Sequence, residues 1–341
     1  MPDQRAAVAT HLRRQRDGCA LLGSALYAGL LDRAAADAEA GGPVWKVLEP
    51  FASWPFGSAY ALRMMGAVHR LVLTGDAPEL EPHFAPGGDA AAAWEPFRAL
   101  LDERGDVVQS LALERPVQTN EVGRCAALAP ALLWLSGGRP LRLLEIGASA
   151  GLNLRWDAYR YEDRWGDPSS PVRLVDRYEG AGPPFDPPAV DAVERRGCDR
   201  APVDAGTDEG ALTLLSFVWP DQAERVALLR GAIDVARGLP VRIDAAGAAD
   251  WLEDALAEPL PAGTVTVVFH SIVWQYVPED ERERIRHTLA TARAGADARL
   301  AWLRMESDGA DARLDATVWP GGEERLLARA GYHGRPVRWL A

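Results

Sequence analysis

Lysine is almost missing. Among 341 residues only Lys46 carries an amine side chain, and arginine supplies nearly all the positive charge. Schiff-base chemistry is therefore excluded at every position except Lys46. Cysteine is scarce too. Cys19, Cys125 and Cys198 are scattered, odd in number and without a Cys-x-x-Cys spacing, so neither a disulfide framework nor a cysteine zinc site is expected. No helix start or neighbouring histidine marks Cys198 as an activated nucleophile. The histidines show no paired metal spacing, and no metal site is expected. A P-loop and a His-Glu-x-x-His motif are both absent.

Long apolar runs are missing as well. None approaches the roughly 20 residues of a membrane span, and the N-terminal stretch lacks the apolar core of a signal peptide. Together with the free cysteines, this leads us to expect a cytoplasmic protein. Basic charge is in deficit, with 37 Lys+Arg against 49 Asp+Glu and a net charge of −12. Such a balance argues against nucleic acid, whose recognition needs a basic face, and against an anionic membrane surface. A small-molecule partner is expected instead.

What is present is an ordinary globular composition, 48% hydrophobic and 25% charged, in a chain long enough for two domains. Before Pro140 the pattern is helical, with stretches at 5–16, 24–39 and 59–73 broken by Gly/Pro clusters. In the last of these, Leu62, Met65, Val68, Leu71 and Val72 recur at helical spacing. After Pro140, short apolar runs at 141–146, 212–218, 241–243, 264–269 and 299–305 alternate with helical patterns at 222–237, 248–257 and 279–294. Strands alternating with helices predict an α/β fold with a mostly parallel sheet. The tail, with 314–319 and 337–340, predicts two antiparallel closing strands. Residues 1–137 are thus expected to form a helical cap, and 138–341 a cofactor-binding domain with a β-rich insertion at about 157–210.

The turn Glu145-Ile146-Gly147-Ala148-Ser149-Ala150-Gly151-Leu152-Asn153 carries the chemistry. A buried strand ends on an acidic residue and passes through small residues into an expected helix, whose N–H groups would face a ligand. Gly147 and Gly151 would let the backbone come close to that ligand. The dinucleotide fingerprint Gly-x-Gly-x-x-Gly is not met, which disfavours NAD-linked redox chemistry. The spacing Glu145-x-Gly147-x-x-x-Gly151 resembles the first motif of class I S-adenosylmethionine-dependent methyltransferases, with Ser149 where a middle glycine is common.

That resemblance implies a Rossmann-like, class I methyltransferase-type sheet and S-adenosylmethionine as cofactor. It places Glu145, Gly147, Ser149, Gly151 and Asn153 at the cofactor. Asp221, after the run 212–218, would take the ribose hydroxyls, with Asp176 as the rival; Asp244 and Ala245 would lie near the adenine. Residues 264–278 would open into the active site, with His270 and Tyr276 as candidate catalytic groups. The polar cluster 115–124, taken with 144–161, resembles an uncharacterised bacterial domain-of-unknown-function family, DUF2332. That family brings no assigned activity; from the residues themselves, Asn120, Glu121 and Arg124 of the cluster, and Tyr159 beyond it, are candidate substrate contacts.

Plainer roles stand beside these. Asp221 could cap its helix, Glu145 could pair with an arginine, His270 could be hydrogen-bonded inside the domain, and Thr119 or Asn120 could start a helix. The functional expectation is methyl transfer to a small molecule; the alternative is a Rossmann-like binding or regulatory protein without catalysis.

Overall fold

The computed structural model describes residues 2–186, 189–293 and 297–341. Residues 187–188 of the expected insertion and residue 294 of the expected helix 279–294 lie outside the described residues. The helices are α1 (Pro2–Leu21), α2 (Ala25–Ala40), α3 (Pro43–Leu48), α4 (Tyr60–Leu73), α5 (Ala90–Glu114), α6 (Cys125–Ser136), α7 (Asp208–Phe217), α8 (Ala223–Gly238), α9 (Ala248–Ala255) and α10 (Glu279–Thr291). The strands are β1 (Leu141–Ile146), β2 (Arg160–Tyr161), β3 (Trp165–Gly166), β4 (Arg173–Leu174), β5 (Ala192–Asp199), β6 (Arg242–Ala245), β7 (Val265–Ser271), β8 (Arg299–Asp308), β9 (Asp311–Trp319), β10 (Glu323–Ala330) and β11 (Val337–Trp339). Two compact units emerge: Met1–Thr119 with Thr207–Ala227, and Asn120–Gly206 with Leu228–Ala341. The boundary expected near 137 falls at Thr119 because α6 belongs to the sheet unit, and α7 returns to the helical one. Among the described residues no helix is long and apolar enough to cross a membrane.

In the helical unit, Ser24 caps α2 by accepting from the Tyr27 N–H, and Gly41, at φ +77°, ends it in the left-handed conformation. The face between them buries Leu26, Leu30, Leu31, Ala34 and Ala38 at helical spacing. The run 212–218, expected as the second sheet strand, is helix α7. Thr207 caps it, Asp208 and Glu209 suit its first turn, and residues 210, 211, 213, 214, 216 and 217 are buried in a helical period. An apolar run this short fits either structure.

That reassignment removes Asp221 from the sheet. Its carboxylate accepts from Ser24 Oγ at 2.8 Å and from the Leu26 N–H at 3.0 Å, at the start of α2. The ribose role expected of Asp221 is therefore corrected to the capping role.

Burial pushes His11 and His69 of this unit down to about 4, with the charge of Arg14 adding to the effect at His11. Unfolded imidazole titrates near about 6.5, so between those values the unfolded chain binds more protons. This contribution to stability is complete above about pH 6.5 and falls as the pH drops towards about 4. Urea midpoints measured across that window should decrease with acidification; a flat profile would contradict the assignment.

The sheet unit is built on one eight-stranded sheet in the order β11-β10-β9-β8-β7-β1-β5-β6. From β6 to β8 all neighbours are parallel, and β8 to β11 form an antiparallel meander. The tail thus adds three antiparallel strands where two were expected, because β10 opens on three charged residues, Glu323-Glu324-Arg325, and has only a short apolar run, Leu326–Ala328. Leu144, Ile146, Val268, Leu300 and Trp302 bury one face with Trp251 and Leu252 of α9 and Ile285 and Leu289 of α10. Helix α6 packs against β7 and β8.

The expected insertion hides the real second strand. Residues 160–174 form a separate three-stranded sheet, β3-β2-β4, while β5 pairs with β1 in the main sheet. Strand β5 reads Ala-Val-Glu-Arg-Arg-Gly-Cys-Asp, more charged than a buried strand should be. Its charges are met sideways: Glu194 by Arg142, Arg195 by Asp157 and Arg196 by Asp244. Asp176 is exposed beyond β4, just before residues 177–179 that pair with Val337 of β11, at the sheet edge opposite β5 and β6, so the rival ribose assignment fails as well.

Candidate functional site

The chain moves from β1 outward to β5 and β6 on one side, and through β7 and β8 on the other. Strand order therefore reverses between β1 and β7, and open α/β sheets bind ligands outside the carboxyl ends at such a point. The turn after β1 lies there, facing the loop after β7.

The turn is held by protein groups. The Ser149 N–H donates to Asp199 Oδ2 at 2.9 Å. The Ala150 and Leu152 N–H groups donate to Asn120 Oδ1 at 3.2 and 2.9 Å. Ala148 N–H reaches the Cys198 carbonyl at 2.9 Å. Gly147 and Gly151 both have φ +66°, and Ser149 has φ +53°, so a left-handed residue stands where the related motif has its middle glycine. A Cβ on Gly147 would lie 2.6 Å from Val273, and one on Gly151 would lie 2.7 Å from Ile243. Close approach is thus to neighbouring side chains. The helix expected after the turn is a six-residue 3-10 segment, Asn153–Ala158, so the turn does not lead into an α-helix N-terminus.

Glu145 is 1% exposed and lies beneath the turn. Burial pushes its carboxyl well above the ordinary range, against a hydrogen bond from Asn153 and the charge of Arg124. Its Oε2 has no hydrogen-bond partner among the described residues. Asn153 also accepts from Cys125 Sγ at 3.2 Å, so it acts as an internal bridge. Burial raises the Cys198 thiol to about 12, which keeps it inert.

Asp199, the last residue of β5, occupies the position that sequence reading gave to Asp221. Besides Ser149, its Oδ1 accepts from the Ala201 N–H at 2.9 Å. Asp244 does not face the crevice. It pairs in register with Cys198, whose face is the buried one, and accepts from Arg196, Arg242 and the Trp251 indole at 2.9, 2.7 and 2.8 Å. Although burial opposes it, these bonds hold its carboxyl at about 2. The adenine role expected of Asp244 is replaced by an ion-pair cluster; Ala245 remains exposed at the strand end.

Register also separates the two expected catalytic regions. Glu145 lies opposite Phe269, so His270, one residue on, projects from the other face. His270 is 0% exposed and donates or accepts through Nδ1 to Glu306 Oε1 at 2.6 Å. It cannot touch a substrate in this arrangement, which corrects the catalytic expectation to the internal one. Tyr276 is 55% exposed. Partial desolvation around the hydroxyl, rather than burial of the whole side chain, raises that group, with the Arg124 charge opposing and Glu306 adding.

Three of the four expected substrate residues gather at the crevice. Asn120 holds the turn, Glu121 accepts from the Gly123 N–H at 3.2 Å, and Arg124 donates to the Ser271 carbonyl at 2.9 Å and the Tyr332 carbonyl at 3.1 Å. Tyr159 does not join them: fully buried, its hydroxyl donates to the Leu152 carbonyl at 2.6 Å. Sequence reading missed Asp199 and Glu306. Both are acidic residues at strand carboxyl ends, but β5 was not recognised and the fifth run was ended at 305.

These features define an open α/β protein with a Rossmann-like sheet and a crevice at its switch point. The chain belongs to the family described as "Uncharacterized protein conserved in bacteria (DUF2332)", whose model matches residues 9–339. No curated protein and no solved structure matches it.

Proposed function

We propose that this protein is an S-adenosylmethionine-dependent transferase that methylates a small molecule, with its cofactor site at the β1/β7 crevice. One observation carries the reading: the turn's N–H groups are taken by Asn120 and Asp199, and carboxyls flank it. A pyrophosphate needs free N–H groups and no fixed anion beside them. An adenosyl ligand with a cationic sulfonium has the opposite requirement, and these residues fit it. Asp199 would hold the ribose, since a carboxylate offers about four lone-pair positions and two are in use.

When bound, S-adenosylmethionine supplies an electrophilic methyl group. This chain's residues contribute position and the exclusion of water, the main requirements of an in-line displacement. Asn120 and Asp199 fix the turn, Arg124 ties Ser271 to the 331–334 turn, and exposed Tyr276 offers a hydroxyl to the acceptor. The net charge of −12 favours a small acceptor over nucleic acid. Burial of His270 favours a second reading, ligand binding without turnover.

Calorimetric titration of S-adenosylmethionine, S-adenosylhomocysteine and NAD into the full chain tests this. Micromolar binding of the first two, with none of NAD, is expected. Binding of NAD alone, or of nothing, would sink the cofactor assignment; binding with no methyl transfer across small acceptors would leave the second reading.

A further inference from the structure

We infer that Glu306 is a positioning residue for the loop at 272–276, and that through this loop it shapes the glycine side of the crevice. The link to ligand affinity rests on the proposed function; the link to the loop does not. Glu306 Oε1 accepts three hydrogen bonds: from His270 Nδ1 at 2.6 Å, from the Val273 N–H at 3.0 Å and from the Trp274 N–H at 3.2 Å. A carboxylate acceptor requires the His270 proton on Nδ1. Nε2 is then a buried acceptor, with no partner among the described residues.

The ring itself cannot turn freely. It stacks on Trp274 with centroids 5.1 Å apart and planes 12° apart, and Trp302 lies 5.8 Å away. His270 thus aims Glu306, and Glu306 holds the loop. Three other carboxylates of the sheet, Asp244, Asp308 and Asp315, pair with guanidinium groups, whereas Asp199 is held by two amides. Glu306 pairs with an imidazole and two amides instead.

Two features depend on this hold. Ile272 has φ +54°, a strained conformation for a β-branched residue. Its neighbour Val273 fills the space beside Gly147. Remove the shared acceptor, and two backbone N–H groups and the His270 donor lose their partner together. The strain at Ile272 would then relax and Val273 would leave the glycine turn.

Glu306→Gln and Glu306→Asp separate the acceptor from the charge. Glutamine keeps an oxygen at the right reach without charge; aspartate keeps the charge but is one methylene short. Amide hydrogen exchange over 272–277 should match wild type in Glu306→Gln and rise at least about 10-fold in Glu306→Asp, with β1 unchanged. S-adenosylhomocysteine affinity should follow, within about 3-fold of wild type for glutamine and at least about 10-fold weaker for aspartate. The reverse order of the two variants, unchanged exchange in both, or exchange rising throughout the unit would overturn the assignment. A loosened loop with unchanged affinity would overturn the link to the ligand. If wild type binds no S-adenosylhomocysteine, the proposed function fails and exchange alone decides the loop.

Discussion

Gly334→Ala is expected to destabilise the sheet unit by about 2–5 kcal/mol, a large share of a typical total of about 5–15. Gly334 has φ +72°, and a Cβ there would lie 1.9 Å from the Gly123 carbonyl oxygen and 2.7 Å from the Arg124 nitrogen. Both obstacles are backbone, so no rotamer change relieves them. The constraint is mutual, because a Cβ on Gly123 would meet the His333 carbonyl oxygen at 2.2 Å. Left-handed φ accounts for about 1–2 kcal/mol and overpacking for about 1–3.

Gly180→Ala isolates the first of these contributions. Gly180 has φ +74° with nothing within 4 Å of its Cβ position. The narrowing of the unfolded ensemble, worth about 0.4–1 kcal/mol, is common to both variants and cancels in the comparison. Urea midpoints should therefore fall clearly further for Gly334→Ala than for Gly180→Ala. Equal losses would mean that the 331–334 turn can retreat from the Asn120–Arg124 segment without penalty. The contact also matters for the crevice, since Arg124 reaches the Tyr332 carbonyl and Ser271 from that segment.

Reading from sequence succeeded for the apolar strands, and failed for a charged strand and for an apolar run short enough to fit helix or strand. Strands β1, β7 and β8 are buried through much of their length, so their apolar runs stand out. Strand β5 is just as essential to the sheet, yet Arg195 and Arg196 lie along it with their charges met by Asp157 and Asp244. Such lateral pairing involves residues 38 and 48 positions away, and no local pattern records it. Helix α7 then took the place left open for the second strand, and Asp221 was carried with it. The turn was legible as a glycine turn, but not the fact that Asn120, from 30 residues earlier, occupies its N–H groups. His270 was placed correctly at the end of its strand. Its face was not, because that depends on the register between β1 and β7.

Asp199→Asn is expected to weaken S-adenosylhomocysteine about 10–100-fold under the proposed reading, the equivalent of one lost hydrogen bond to a charged group. The amide retains one acceptor oxygen, so of the Ser149 and Ala201 N–H groups only one keeps its partner; the other would face an NH2 donor. Asp221→Ala should leave affinity unchanged, since Asp221 caps α2 with Ser24 and Leu26. Loss of affinity in Asp199→Asn could still arise from a displaced turn rather than a missing ribose contact. The 2′-deoxy analogue of S-adenosylhomocysteine distinguishes the two. If the carboxylate holds the 2′-hydroxyl, removing either partner removes the same interaction, and the two losses should be strongly non-additive. Additive losses would assign Asp199 to turn geometry alone. Undiminished affinity in Asp199→Asn would move the ribose away from β5 altogether, and with it the strand alignment on which the cofactor assignment stands.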